Sequence, residues 1–241
     1  MKNLVNYTIS IIEPRIFAVV IKDQYERGMT FCRVQEFYES PSRKFRDKGF
    51  SIWDYMDWYA KNHHSKFSYP GDWSGFNLPV EVIAKCYGEH WMPLGNPGLY
   101  ETPYDEILSN ILADITIEVG SHNCLNGYII GTDKTEGDLF NHEICHAKYY
   151  TDLKYKKLVD GVTKRIKKGL PAQYKQLKKN VMEMGYAARV VDDEIQAYMQ
   201  DRAEDPRFRK NIEISVLRSL KQMYINALSK KQLNKKHRGV A

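Results

Sequence analysis

The sequence predicts an α+β protein that is predominantly helical, and three observations support this prediction. Two short β-branched stretches, at residues 16–22 and 127–132, have the composition and length of strands. Beyond residue 152, almost all of the chain has apolar residues at helical spacing, interrupted by glycine and proline. The composition, 43% hydrophobic and 27% charged, is that of a globular protein and excludes a fibrous or disordered one.

The predicted elements of the first half are bounded by residues that start or stop them. Ser51 and Thr102 have side chains that cap helix N-termini, and Pro79 and Pro103 suit the first turn of a helix. The stretch 67–77 combines glycine, proline, aspartate and aromatic residues, which predicts a long structured loop. In order, the elements are a strand at 16–22 and helices at 29–39, 52–61, 79–87 and 103–119.

The second half begins with the predicted strand at 127–132, followed by a polar turn at 133–137. Gly169, Pro171 and Gly185 then separate successive helical segments. The predicted helices are 138–150, 153–168, 172–184, about 188–201 and 211–231, with a basic tail from about residue 230.

Cysteine usage and hydropathy predict a cytoplasmic protein. Cys32, Cys86, Cys124 and Cys145 are widely scattered and form no CxxC pair, which favours a reducing compartment. No uncharged stretch approaches the roughly 20 apolar residues of a membrane-spanning helix. The N-terminal residues lack the features of a secretory signal, so we expect no export and no membrane span.

Charge is distributed unevenly along the chain. Residues 1–151 carry 14 basic and 20 acidic side chains, whereas residues 152–241 carry 22 basic and 10 acidic ones. A positive C-terminal half can attract nucleic acid or an acidic protein. Binding of such a partner is therefore one function that the sequence allows.

A second function is indicated by an HExxH motif, formed by His142, Glu143 and His146 in the predicted helix at 138–150. Side chains four positions apart lie on the same face of a helix, so both imidazoles can bind one Zn²⁺. Glu143 lies beside them, where it can take a proton from metal-bound water. The motif therefore predicts metal-assisted hydrolysis.

A catalytic zinc ion needs a third protein ligand, and the sequence offers two candidates. Asp152 lies six residues beyond His146, the spacing of metzincin-type enzymes, although those enzymes have a glycine where this chain has Tyr149. Glu194 lies 48 residues beyond His146 in an acid-rich helix. The segment 127–201 with Glu194 resembles the zinc-dependent gluzincin peptidases, in which a glutamate on a later helix completes the site.

This resemblance implies a role for each matching residue. His142, His146 and Glu194 correspond to the metal ligands, and Glu143 corresponds to the general base. Compact members of the lethal-factor type have an oxyanion-stabilising tyrosine about two helical turns before the third ligand, and Tyr186 is the nearest match.

The sequence departs from the thermolysin-like members at one position. Those members place an aspartate four residues beyond the third ligand, where it orients a ligand histidine, and this chain has Tyr198 there. Asp193 and Asp201 are the candidates for that role.

The fold implied by the resemblance is zincin-like: a small sheet with an active-site helix, followed by a helical C-terminal half. Residues 1–126 would form an N-terminal α+β region that supplies part of the sheet and the cleft wall. Residues 127–241 would form the catalytic region.

The sequence therefore predicts a zinc metallopeptidase that hydrolyses a peptide bond in a protein or peptide substrate. Two alternatives stay open. One is a nucleic-acid-binding or acidic-protein-binding protein with a structural or accidental HExxH, and the other is a hydrolase of a non-peptide bond, because the metal chemistry is common to both hydrolases.

Overall fold

The computed structural model describes residues 5–63, 65–90 and 102–236, and it confirms an α+β protein that is mostly helical. The strands are β1 (Thr8–Glu13), β2 (Ile16–Val20), β3 (Phe76–Pro79) and β4 (Tyr128–Thr132). The helices are α1 (Gln24–Glu39), α2 (Ile52–Asn62), α3 (Tyr69–Asp72), α4 (Val80–His90), α5 (Pro103–Val119), α6 (Ser121–Leu125), α7 (Asp138–Thr151), α8 (Leu153–Gly169), α9 (Pro171–Glu183), α10 (Val191–Ala197) and α11 (Ile214–Lys236).

The four strands form one mixed sheet in the order β1-β2-β4-β3. The two central strands are parallel, with Ile16 opposite Tyr128 and Val20 opposite Thr132. Both outer strands run antiparallel to their neighbours. The central strands are almost entirely buried, which explains why their sequences are continuously apolar rather than alternating.

The strands predicted at 16–22 and 127–132 are confirmed, but the long structured loop predicted at 67–77 is only partly a loop. That stretch contains α3 and the first residues of β3. Pro79 ends β3 instead of opening a helix, since α4 begins at the next residue. A proline is tolerated there because β3 lies at the sheet edge. A four-residue strand that depends on β4 for its pairing leaves almost no local pattern.

The helices of the second half lie close to their predicted positions, with two differences. The segment predicted as one helix at about 188–201 is α-helical only from Val191 to Ala197 and continues as a π-helical turn, Tyr198–Arg202. In addition, α11 extends to Lys236, so the first residues of the predicted basic tail belong to a helix. The end of that tail, residues 237–241, lies outside the described residues.

The chain divides into two compact units, Met1–Glu143 and Ile144–Ala241. The first unit contains the sheet and a core that includes Phe17, Phe31 and Ile129. The second is helical and has its own core, which includes Val162 and Tyr198. The division falls within α7, whereas the sequence-based boundary of 126/127 precedes β4, a strand whose partners all belong to the first unit.

All four cysteines are free thiols, and Cys32, Cys86 and Cys124 are buried. Among the described residues, no helix combines the length and the apolar character that crossing a membrane requires.

Candidate metal centre

Helix α7 carries the HExxH motif, and local sequence determines where it begins. Gly137 has a φ of +89°, a backbone conformation that glycine adopts without strain. Its carbonyl accepts the first helical hydrogen bond, from the backbone nitrogen of Asn141 at 3.0 Å. Asp138 follows in the first turn, where a negative charge is favourable to the helix dipole. The helix is unbroken to Thr151, so His142 and His146 lie one turn apart on one face.

Helix α10 carries Glu194 near its start, in a first turn that also contains Asp192 and Asp193. The carboxylate of Asp192 accepts hydrogen bonds from the exposed Lys167 Nζ at 2.6 Å and from the hydroxyl of the half-buried Tyr174 at 2.7 Å. Glu194, two residues later, is only 2% exposed. Within this acidic turn, the carboxylate of Asp192 therefore lies near the surface, whereas that of Glu194 is buried.

The structure brings Glu194 together with both histidines of the motif. One ligand atom from each of His142, His146 and Glu194 lies within 4.8 Å of the other two, and all three side chains are buried. His146 Nε2 is 3.6 Å from Glu194 Oε1. This group can hold a metal ion.

The dimensions of the group are suited to zinc. Zinc binds imidazole nitrogen and carboxylate oxygen at about 2.0–2.1 Å with tetrahedral geometry, which places two ligand atoms about 3.3–3.4 Å apart. The separation of 3.6 Å between His146 and Glu194 differs from this by a few tenths of an ångström. Two histidines and one glutamate also form a ligand set typical of catalytic zinc sites.

The carboxylate of Asp193 contacts Nδ1 of His146, the other ring nitrogen from the one that faces Glu194. Its Oδ2 lies 3.0 Å from His146 Nδ1. Because a carboxylate can only accept, Nδ1 carries the proton and the lone pair of Nε2 is left for the metal side of the ring. Of the two acids that the sequence suggested for this role, the structure places Asp193 in contact with the histidine.

Burial gives the ionised form of Glu194 an electrostatic cost that a bound cation would offset. Burial raises the pKa of the Glu194 carboxyl to about 7, and the neighbouring Asp193 contributes in the same direction, whereas His146 opposes the shift. A metal ion beside the carboxyl would favour the ionised form and offset this cost of burial.

Glu143 is also buried and makes a contact that the sequence did not predict. Its Oε2 accepts a hydrogen bond from Asn77 Nδ2 at 2.8 Å, and the Oδ1 of Asn77 accepts one from the Tyr128 hydroxyl at 2.6 Å. Gly75 allows the chain to come close, because a Cβ there would lie 2.8 Å from Glu143 Oε1. Sequence reasoning missed Asn77 because it lies in β3, within the stretch predicted as a loop.

The remaining candidates occupy other positions. Asp152 caps α8, with Oδ1 accepting from the backbone nitrogens of Lys154 and Tyr155 at 2.9 and 3.0 Å, and the ligand group contains Glu194 instead. Tyr186 is half-buried, with its hydroxyl 3.5 Å from that of Tyr198, so its role as an oxyanion donor stays a prediction.

Cys145, between the two histidines, is not a member of the ligand group. Burial raises the pKa of its thiol to about 11, so the thiolate that binds metals is disfavoured.

In comparisons with known proteins, no family model, no curated protein and no solved structure matches this chain.

Proposed function

We propose that this protein is a zinc-dependent metallopeptidase with a zincin-like, gluzincin-type site, in which His142, His146 and Glu194 hold the metal. The observation that carries the proposal is the convergence of these three side chains from two helices that are far apart in the sequence. Three protein ligands leave a fourth coordination position open, as catalysis requires and a closed structural site does not.

The contact between Asp193 and His146 supports the same conclusion. Histidines that bind metals almost always donate their second nitrogen to a carboxylate or carbonyl, which fixes the ring and raises the basicity of the ligand nitrogen. An acidic residue 3.0 Å from Nδ1 is therefore expected at a metal centre. We assign to Asp193, directly before the proposed third ligand, the orientation of a ligand histidine. In thermolysin-like members an aspartate at the position of Tyr198 has this role.

In the proposed reaction, Glu143 is the general base. A zinc ion, when bound, supplies a Lewis acid that polarises the scissile carbonyl and lowers the pKa of water. Glu143 accepts the proton of the attacking water and returns it to the leaving amine. Asn77 holds one oxygen of the Glu143 carboxylate, which limits rotation of the side chain and leaves the other oxygen for proton transfer.

We assign the oxyanion donor to Tyr186 on the basis of the resemblance. A hydroxyl that stabilises developing charge contributes mainly to kcat. Tyr186→Phe should therefore lower kcat by about 100- to 1,000-fold without loss of metal. Unchanged turnover in Tyr186→Phe would reject the assignment.

The substrate is proposed to be a protein or peptide, and the reducing cytosol stays the predicted compartment.

Because the basic C-terminal half can also attract nucleic acid, a mobility-shift assay with a DNA duplex at low and high salt tests that alternative. Binding that weakens steeply with salt, by a chain that contains no zinc, would favour the alternative over the peptidase.

The first test is the metal content of the purified protein, measured by inductively coupled plasma mass spectrometry. We expect near-stoichiometric zinc in the wild type and its loss in His146→Ala and Glu194→Ala. Asp152→Ala is the matched control, since it removes an acidic candidate that lies outside the ligand group. Retention of zinc in Glu194→Ala, with loss in Asp152→Ala, would overturn the assigned ligand set.

Peptide cleavage is then measured with zinc-loaded protein and a random peptide library, with products identified by mass spectrometry. We expect new termini in the wild type only. A protein that binds zinc and cleaves no peptide would retain the metal site and reject the peptidase.

A further inference from the structure

We propose that Gln196 is a positioning residue of the metal centre, which holds Asp193 in place and, through it, the imidazole of His146. The inference rests on the metal site proposed above and adds to it a contact chain that lies within the second unit. The chain runs from Gln196 Nε2 to Asp193 Oδ1 and from Asp193 Oδ2 to His146 Nδ1.

Gln196 carries a fully buried side-chain amide. Its relative exposure is 0%, and its neighbours in the chain, Ile195 and Ala197, are also buried. Burying an amide costs free energy unless its polar atoms are hydrogen-bonded, so an apolar side chain would be the less costly choice for packing alone. Its hydrogen bonds therefore indicate what this amide contributes.

Both donor positions of the amide are directed at groups next to metal ligands. Nε2 donates to Asp193 Oδ1 at 2.9 Å and to the backbone carbonyl of Cys145 at 3.3 Å. Cys145 directly precedes His146, and Gln196 follows Glu194 by two residues. The amide therefore links the helix of the second histidine to the helix of the third ligand.

The orientation of the amide is determined by its acceptor side. Oε1 accepts hydrogen bonds from the Tyr155 hydroxyl at 2.9 Å and from Gln200 Nε2 at 2.5 Å. Gln200 Nε2 also donates to the Tyr155 hydroxyl, at 2.6 Å, so that hydroxyl is left to donate to Gln196. With two donors and two lone pairs all engaged, a flipped amide would place Nε2 against donors.

This arrangement has a consequence for Asp193, whose side chain is 25% exposed. An aspartate at that exposure can rotate between several rotamers, and rotation would release His146 Nδ1. Gln196 holds Oδ1, so the rotamer that directs Oδ2 at the histidine is selected. The expected result is a more preorganised ligand and tighter metal binding.

The test is the zinc affinity of the full chain, measured by competition with a chromophoric chelator. Asp193→Ala should weaken zinc binding by about 10- to 100-fold, the range found for residues that orient metal ligands. Gln196→Leu, of similar volume but without the amide, should weaken it by about 10-fold. If Gln196 acts through Asp193, the double variant should bind no more weakly than Asp193→Ala alone.

The matched control is Asn180→Ala. Asn180 is a buried amide of the second unit that donates to two backbone carbonyls, those of Phe208 and Lys210, both at 2.7 Å. Its removal should lower stability as Gln196→Leu does and leave the zinc affinity within about 2-fold of the wild type. Equal losses of affinity in both variants would overturn the inference and reduce Gln196 to a packing residue.

If Gln196→Leu does not fold, as judged by circular dichroism, Tyr155→Phe provides the same test. It removes one donor to Gln196 Oε1 and should weaken zinc binding by a few-fold, again only when Asp193 is present. The role of Gln196 would be overturned, and the metal site retained, if Gln196→Leu or a folded Tyr155→Phe bound zinc with wild-type affinity. Additive losses of zinc affinity in the double variant of Gln196 and Asp193 would have the same meaning. A wild-type chain that binds no zinc would overturn both, whereas zinc binding with this pattern but without peptide cleavage would reject the peptidase alone.

Discussion

Asp193 Oδ2 lies 3.0 Å from His146 Nδ1, and Asp193 directly precedes Glu194 in the chain. The carboxylate that contacts His146 Nδ1 and the carboxylate of the group that could hold a metal ion thus come from adjacent residues of α10. Successive residues of a helix point about 100° apart, so the two side chains approach the histidine ring from different sides. His146 Nε2 accordingly faces Glu194 Oε1, at 3.6 Å.

Replacing Glu143 by glutamine should separate metal binding from catalysis. Glutamine keeps the size of the side chain but cannot accept a proton, so we expect full zinc content and a loss of peptide cleavage of about 100-fold or more. Zinc is measured by mass spectrometry and cleavage with the peptide library. Glu183→Gln, a change at a surface ion pair with Lys210, is the control and should cleave normally. An active Glu143→Gln would contradict the proposed mechanism.

Glu36 should make the stability of the first unit depend on pH. Burial raises the pKa of its carboxyl from 4.5 to about 7, although Ser40, Tyr55 and Tyr69 act in the opposite direction by hydrogen bonding. Between these values the folded state holds a proton that the unfolded state has released. Stability should therefore be highest below about pH 4.5 with respect to this group and should fall as the pH rises to about 7.

The effect of Glu36 can be isolated with Glu36→Gln, which is neutral at every pH. The free energy of unfolding of this variant, relative to the wild type, should rise by about 1–3 kcal/mol between about pH 5 and pH 8. Tryptophan fluorescence during urea unfolding is a suitable probe, because all four tryptophans precede residue 144. Glu81→Gln, at an exposed position of α4, should show no such trend. A constant difference between Glu36→Gln and the wild type would contradict the assignment.

Arg33 and Asp105 form a buried ion pair whose loss should be severe. The guanidinium donates from Nε to Oδ1 at 2.8 Å and from a second nitrogen to Oδ2 at 3.1 Å, and both side chains are almost fully buried. Arg33→Met leaves the buried Asp105 carboxylate without its counter-charge and should lower the free energy of unfolding by about 3–5 kcal/mol. Lys179→Ala breaks an exposed pair with Glu183 and should change it by less than about 1 kcal/mol. Comparable losses in urea unfolding monitored by circular dichroism would contradict this prediction.

Gly131 should not tolerate a side chain, because the ring of Phe31 lies against its backbone in β4. A Cβ at this position would overlap that ring, which is itself stacked on Phe76 with centroids 5.4 Å apart. Gly131→Ala should therefore destabilise the first unit by about 1–3 kcal/mol. Gly88→Ala is the control, since a Cβ there meets nothing within 4 Å and lies in a helix. We expect Gly88→Ala to stabilise by up to about 1 kcal/mol, and equal melting temperatures for the two variants would contradict the packing argument.

The fold could be predicted from the sequence wherever its signal is local. Helix α2 with its cap at Ser51, helix α5 between Thr102 and Gly120, and the central strands all follow from spacing and end residues. Strands β1 and β3 did not: β1 is a mostly exposed edge strand, and β3 is a four-residue strand whose partner, β4, lies far along the chain. The π-helical turn after Ala197 also has no local signature and was predicted as ordinary helix.

For the candidate site, the sequence by itself determined that two imidazoles share one helix face with Glu143 beside them, because helical geometry depends only on residue spacing. It also limited the third ligand to Asp152 or Glu194. Only the tertiary structure shows that Asp152 caps α8 and that Glu194 is buried against His146, in the group that could hold a metal ion. It also brought Asn77 to Glu143, since contacts between residues far apart in the chain depend on packing that no short pattern encodes.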